Sequence, residues 1–249
     1  MSQIKTKQEL ELMKISGSIA AKALKAVKEA AKVGISAQEL DEIARLAVEK
    51  EGAKPSFVTV EDYKWTTCIT FNQQVVHGIP TKRRLQEGDI VSVDIGALYK
   101  GYHSDMAISF GVGQIDLQKE EFLETGQRAL HEAIDKARVG NKIGDISETL
   151  QKTIEQKGYS IVKSLTGHGI GRQLHEEPMV PGFGKAGIGK PLKENMTIAI
   201  EAIYAQKSGQ VFIEDDGWTI TTKDGSWGGL FEQTIAITNG KPIILTPYL

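Results

Sequence analysis

The stretch VSVDIGALYKGYHSDMAISF, residues 91–110, constrains this chain more than any other. Its apolar residues recur with a period of two on either side of a short break, which predicts strand, turn, strand. On the first strand Val91, Val93 and Ile95 share one face, leaving Ser92 and Asp94 on the other. A two-residue turn at Tyr99-Lys100, with Gly101 just after it, centres the hairpin between 99 and 100. Asp94 and Asp105 then become direct cross-strand partners. Opposed carboxylates repel across a ladder, and a metal cation between them is the simplest remedy. The alternative is a pair of solvated carboxylates on an exposed sheet face.

Composition narrows the rest. A chain of 249 residues, 40% hydrophobic and 25% charged, can bury a large soluble core. Its formal charge of -2 gives no reason to expect a nucleic-acid binder. The single cysteine, Cys68, excludes an internal disulfide and a cysteine-rich zinc site, and fits a reducing compartment. With neither an apolar run of about eighteen residues nor a charged-then-apolar leader, no membrane span or signal peptide is expected, and cytoplasm is the default.

Thr6 and Glu9 form a capping-box pattern ahead of a helix running to about Ala31. Leu10, Met13, Gly17, Ala20, Leu24 and Val27 make its apolar stripe. A second capping box, Ser36 with Glu39, opens a helix that ends near Gly52. Sliding this region by 106 residues aligns Gly34 with Gly140, Ala44 with Leu150, Val48 with Ile154 and Gly52 with Gly158. That offset suggests two halves of helix, helix and sheet related by a pseudo-twofold, with a cleft where they meet. Chance similarity between two amphipathic helices is the alternative.

Four further segments carry chemistry. In TTCITFNQQVVHGIP, residues 66–80, His77 closes an apolar strand; it reads equally as a loop residue or a functional one. In LTGHGIGRQLHEEP, residues 165–178, glycines at 167, 169 and 171 allow close approach of a ligand or unusual dihedrals around His168, with His175 beyond. Their G-x-G-x-G spacing is not a nucleotide fingerprint. Glu201 and Glu232 each interrupt an apolar strand, where an unpaired carboxylate is costly to bury. Each points to solvent on an edge or is neutralised by a cation. Four carboxylates and one histidine suit manganese, iron(II), cobalt, nickel or zinc. Four negative charges over-neutralise one divalent ion, so the residues point to a dinuclear site.

HGIP at 77–80, the Asp94/Asp105 pair, GHGIG at 167–171, HEEP at 175–178, Glu201 and Glu232 together resemble the methionine aminopeptidases of the bacterial type I class. The resemblance covers nearly the whole chain. It implies an α+β pita-bread fold: two pseudo-twofold-related halves, about 1–112 and 113–249, in a single 1–249 metallopeptidase domain, with a central curved antiparallel sheet flanked by helices. It implies that Asp94, Asp105, His168, Glu201 and Glu232 hold two divalent ions, Asp105 and Glu232 bridging them. A hydroxide between the ions would attack the first peptide carbonyl, with Glu201 as proton shuttle. His175 would hydrogen-bond the tetrahedral oxygen and His77 would contact substrate near the scissile amide. Tyr63, Cys68, Leu174 and Trp218 would line the methionine pocket, core packing being the alternative for Cys68 and Trp218. Implied substrates are nascent polypeptide N-termini with a small second residue, met by a cytoplasmic monomer in transient contact with ribosomes; no nucleic acid and no membrane are expected as partners.

The chain also departs from the family pattern. Thr59 to Lys64 replaces a Gly-Tyr-His-Gly-Phe-Pro-like loop, Leu174 stands at an often aromatic position, Ala202 replaces a proline, and Gln233 replaces a histidine. Two other readings follow: an X-Pro-specific relative, whose kind usually carries an extra N-terminal domain, and an inactive pita-bread binding module.

Overall fold

The computed structural model of the chain describes residues 4–248; residues 1–3 and 249, the ends of the expected single domain, lie outside the described residues. Helix α1 (Lys7–Ala30) starts as its capping box requires: the Thr6 hydroxyl accepts from the Glu9 N–H and the Glu9 carboxylate from the Thr6 N–H. Helix α2 (Ala37–Lys50) repeats the device with Ser36 and Glu39. Helices α3 (Leu117–Ile134) and α4 (Ile143–Glu155) are the corresponding pair of the second half.

The strands follow in order: β1 (Lys54–Pro55), β2 (Thr67–Phe71), β3 (Gln74–Val76), β4 (Ile90–Tyr99), β5 (Tyr102–Gly111), β6 (Ser160–Ile161), β7 (Thr166–Gly169), β8 (Glu176–Pro181), β9 (Thr197–Ala205), β10 (Val211–Ile213), β11 (Ile220–Thr222), β12 (Gly228–Ala236) and β13 (Ile243–Ile244). Ten of them form one sheet with the order β1-β4-β5-β12-β9-β7-β8, to which β2, β6 and β13 add at the side. Its ladders are antiparallel. A small sheet, β10-β11-β3, lies apart.

The helices cover one face of the large sheet. Val91, Val93, Ile95, Met106 and Ile108 pack against α1 and α2, and Ile198, Ile200, Phe231 and Ile235 against α3 and α4. Burying this many branched side chains, each stabilising by about 1.5–3 kcal/mol, fixes which face is apolar. The 106-residue offset is visible in the backbone. Gly34 and Gly140 share a left-handed φ of 93° and 97°, and Gly52 and Gly158 one of 76° and 80°. Ile143 N–H donates to the Lys190 carbonyl as Ala37 N–H donates to Arg83. β1 borders β4 as β6 borders β9.

The hairpin register differs from the expected one. Tyr99 pairs with Tyr102, Gly96 with Asp105, and Asp94 with Ala107. The turn residues are Lys100 and Gly101, at φ 47° and 82°; a tight hairpin needs both of its central residues in the left-handed region, so Gly101 belongs inside the turn and not after it. Asp94 and Asp105 are therefore diagonal neighbours. Because moving the turn by one residue shifts the pairing by two, both still face the same way.

Candidate metal centre

The chemistry sits on the face of the sheet turned away from the helices, in two rows that cross adjacent strands. Cross-strand pairing sets Cys68, Asp94, Ala107, Glu232 and Glu201 side by side on β2, β4, β5, β12 and β9. The next row holds Gly96, Asp105, Thr234, Ala199 and His168: Asp105 faces Gly96, Thr234 and His168 both face Ala199, and the Thr234 hydroxyl bonds the Asp105 backbone. Alternation along each strand puts every one of these on one face. Both lone glutamates lie on interior strands rather than at an edge, and Glu232 is only 2% exposed.

Ligand atoms of Asp105, His168 and Glu232 lie within 4.8 Å of one another. His168 Nε2 is 3.6 Å from Glu201 Oε1 and 3.9 Å from Asp105 Oδ2. Its Nδ1 lies 2.9 Å from the Gly169 carbonyl, which fixes the tautomer with the proton on Nδ1 and leaves the Nε2 lone pair aimed at the carboxylates. Asp94 and Asp105 reach each other's carboxyl groups, a contact two carboxylates make only around a shared proton or a cation.

Burial pushes the Asp94 carboxyl up to about 7. Burial first, and then the charges of their neighbours, raise Asp105, Glu201 and Glu232 well above the usual carboxylate range. Burial, helped by His175, lowers His168 to about 4. It also lowers His77 and His175. The histidines are therefore neutral near pH 7, as a metal-ligating imidazole must be.

The residues fit a divalent cation. Asp94 Oδ1, Asp105 Oδ1 and Glu232 Oε1 are buried without a hydrogen-bond partner, and an orphaned buried carboxylate oxygen costs several kcal/mol unless a cation answers it. Among the described residues no lysine or arginine lines the cavity to supply that charge.

The cavity measures about 640 Å³. Tyr63, Cys68, His77, Leu174, His175 and Trp218 line it together with Asp94, Asp105, His168, Glu201 and Glu232, so every site residue expected from the sequence borders one space. Tyr63 meets the Trp218 ring edge-on at 5.0 Å between centroids and donates its hydroxyl to the Thr67 carbonyl at 2.8 Å. His175 lies edge-on to His168 at 4.5 Å. The buried Lys5–Glu176 ion pair, 2.7 Å long, anchors the segment beside it. His77 takes a left-handed φ of 57° at the end of β3.

The glycines around His168 serve a different purpose from the one expected. None has a positive φ, and what crowds them is protein. A Cβ at Gly167 would lie 2.5 Å from the Ala199 carbonyl oxygen, at Gly169 2.2 Å from that of Glu177, and at Gly171 2.4 Å from Lys5. They let β7 pass between β8 and β9. Gln233 lies on the opposite face from Glu232 and donates to the Thr246 carbonyl. Phe57, Val76, Met179 and Ile203 also line the cavity and escaped the sequence reading. Extending the period of two from Glu201 reaches Ile203; Phe57, in a 3-10 turn, offers no such signal.

Residues 11–239 match the model of metallopeptidase family M24. The chain is 41% identical to the methionine aminopeptidase of Clostridium perfringens over 243 residues, 98% of each protein. It is 39% identical to methionine aminopeptidase 1 of Bacillus subtilis over 242 residues, 97% of this chain and 98% of that one. The crystal structure of methionine aminopeptidase from Thermotoga maritima superposes with a TM-score of 0.97 at 39% identity, covering 99% of both chains. Prolidase from Pyrococcus furiosus follows at a TM-score of 0.80 and 27% identity, with 98% of this chain but 65% of the prolidase covered. The fold is thus the pita-bread fold that the resemblance implied, and the protein belongs to metallopeptidase family M24.

Proposed function

We propose that the protein is a metal-dependent aminopeptidase that removes the N-terminal methionine from polypeptides with a small second residue. The observation that carries this reading is the end-to-end match, 98% of both chains, to a protein named methionine aminopeptidase, against a prolidase that this chain covers by only 65%.

Asp94, Asp105, His168, Glu201 and Glu232 would hold the divalent metal, two ions matching the charge of four carboxylates. When bound, such ions lower the pKa of water toward neutrality and polarise a carbonyl. The rest falls to the side chains. Glu201, whose carboxyl is raised above the usual carboxylate range by burial, accepts a proton from the attacking water and returns it to the leaving amine. Neutral His175 donates a hydrogen bond to the oxygen that becomes negative. His77, across the cavity, contacts the scissile amide. The acidic end of the cavity attracts the protonated α-amine of the substrate, which makes the action exopeptidic. Tyr63, Cys68, Leu174 and Trp218 receive the methionine side chain, whose sulfur gains from ring edges nearby. Because both halves supply ligands, the whole chain works as one catalytic domain.

Nascent polypeptides are the substrates, and the chain acts as a cytoplasmic monomer in transient contact with ribosomes. No helix among the described residues is long and apolar enough to cross a membrane. The test is initial rates on Met-Ala-type and Gly-Pro peptides with manganese, iron(II), cobalt, nickel and zinc in turn. Turnover of the methionyl peptide alone is expected; turnover of the X-Pro peptide alone overturns the reading.

A further inference from the structure

The seam between the halves is where β5 meets β12, and it is built unlike the ladders on either side of it. Backbone pairing runs along the whole of β4–β5 and of β9–β12, but between β5 and β12 the paired residues are only Glu232 with Ala107 and Gln233 with Met106. Two residues from the Glu232–Ala107 pair on each side, a hydroxyl takes the place of the backbone. Ser109 Oγ on β5 donates to the Leu230 carbonyl at 2.8 Å and accepts from the Leu230 N–H at 2.9 Å. Thr234 Oγ1 on β12 donates to the Asp105 carbonyl at 2.7 Å and accepts from the Asp105 N–H at 3.0 Å. The two arrangements are related by the pseudo-twofold: in each, a hydroxyl from one half grips both polar groups of one residue in the other.

Thr234 is free to do this because its own backbone is engaged elsewhere. Its N–H donates to Thr246 Oγ1 and its carbonyl accepts from the Leu245 N–H. The same segment then crosses the seam, where the Tyr248 hydroxyl lies 2.7 Å from the Ala107 carbonyl and 3.1 Å from that of Glu232. Thr234 is fully buried and Asp105 nearly so, and a buried peptide group that loses its partner bears its full desolvation penalty.

We propose that Thr234 is a positioning residue for the metal centre. Its hydroxyl clips the Asp105 peptide to β12, and this, with Tyr248 behind Glu232, sets the separation of the Asp105 and Glu232 carboxylates across the seam. A direct backbone ladder would bring β5 and β12 together at Asp105; a hydroxyl inserted between them holds them apart while leaving no polar group unpaired. Ser109 does the same for Leu230, which carries no ligand, and is the built-in control. The proposal rests on the metal-binding reading above.

Titration calorimetry of the metal-free full chain with Mn(II), and the visible spectrum of its Co(II) form, test it without reference to turnover. Thr234→Val, which keeps the shape and loses the hydroxyl, is expected to weaken binding by about tenfold or more and to alter the Co(II) spectrum. Thr234→Ser is expected to restore both to wild type, and Ser109→Ala to stay within about threefold of it. Wild-type affinity and spectrum in Thr234→Val, or an equal loss in Ser109→Ala, overturns the proposal. Should Thr234→Val not fold, Tyr248→Phe takes its place, with a loss of about threefold to tenfold expected and unchanged binding overturning the idea. A wild-type chain that binds neither ion refutes the metal-binding reading itself, an outcome distinct from binding that ignores Thr234.

Discussion

The two halves of the molecule share a scaffold and differ in what they load onto it. Helix ends, left-handed glycines and flanking strands repeat across the 106-residue offset. Following the strand pairing, Asp94 on β4 corresponds to Glu201 on β9, and Ser109 on β5 to Thr234 on β12. Those two pairs kept their chemistry. Elsewhere the halves diverged: Ala107 corresponds to Glu232, Asp105 to Leu230, and Thr70 to His168. Backbone symmetry therefore supplies two facing strand pairs, and the departures from symmetry make the centre lopsided. The second half brings the imidazole and two glutamates, and the first brings two short aspartates.

The largest effect expected from breaking this arrangement is at Asp105, which like Glu232 has no acidic counterpart in the other half. Asp105→Asn should abolish turnover and reduce the metal content seen by elemental analysis; near-wild-type rates would sink the dinuclear reading. Glu201→Gln comes next. Turnover should fall by about 10²–10⁴-fold, and by more than in Asp94→Asn, if the equivalent positions have separate duties. His175→Ala should lower kcat by about 10²-fold with metal content unchanged, since His175 touches the centre without belonging to it.

Proton release sharpens the contrast between carboxylates and imidazoles. In the metal-free protein Asp94 titrates at about 7 against an ordinary 3.8, so the stability it contributes is complete below 3.8 and is lost as pH rises through 7. The gain in Tm on adding metal should therefore widen over that window. His168, lowered to about 4 from 6.5, has the opposite sign: its contribution is present above 6.5 and lost as pH falls through 4. Near pH 6 the protons released on metal binding should come from the acids, with calorimetry in buffers of differing ionisation enthalpy as the measure. The smallest effect is in the shared scaffold. Gly34→Ala and Gly140→Ala, both at left-handed φ, should each cost about 1 kcal/mol in denaturant unfolding, and unequal costs would show that the repeat is less exact than its backbone.

Much of this was legible in the sequence because the period of two in a strand survives small errors. Placing the turn one residue early mispaired Asp94 with Asp105, yet both stayed on the correct face, and Glu201 and Glu232 joined them by the same alternation. The glycines near His168 misled because a glycine's freedom does not say what approaches it; there it is the backbone of Ala199 and Glu177, on the two strands that flank β7. Thr234 gave no signal, since a threonine in a strand is an ordinary β-former until the position of its cross-strand neighbour is known.

The seam at β5 also bears on how the chain is made. Synthesis delivers the strand pair bearing Asp94 and Asp105 more than a hundred residues before Glu232 and Thr234. Until β12 arrives, β5 is an uncapped edge, open to pairing with another unfinished chain. Asp94 and Asp105 alone are also too few carboxylates to retain an ion firmly. Metal loading must therefore follow docking of the halves, and an ion added during refolding should accelerate the final step of assembly without changing the first.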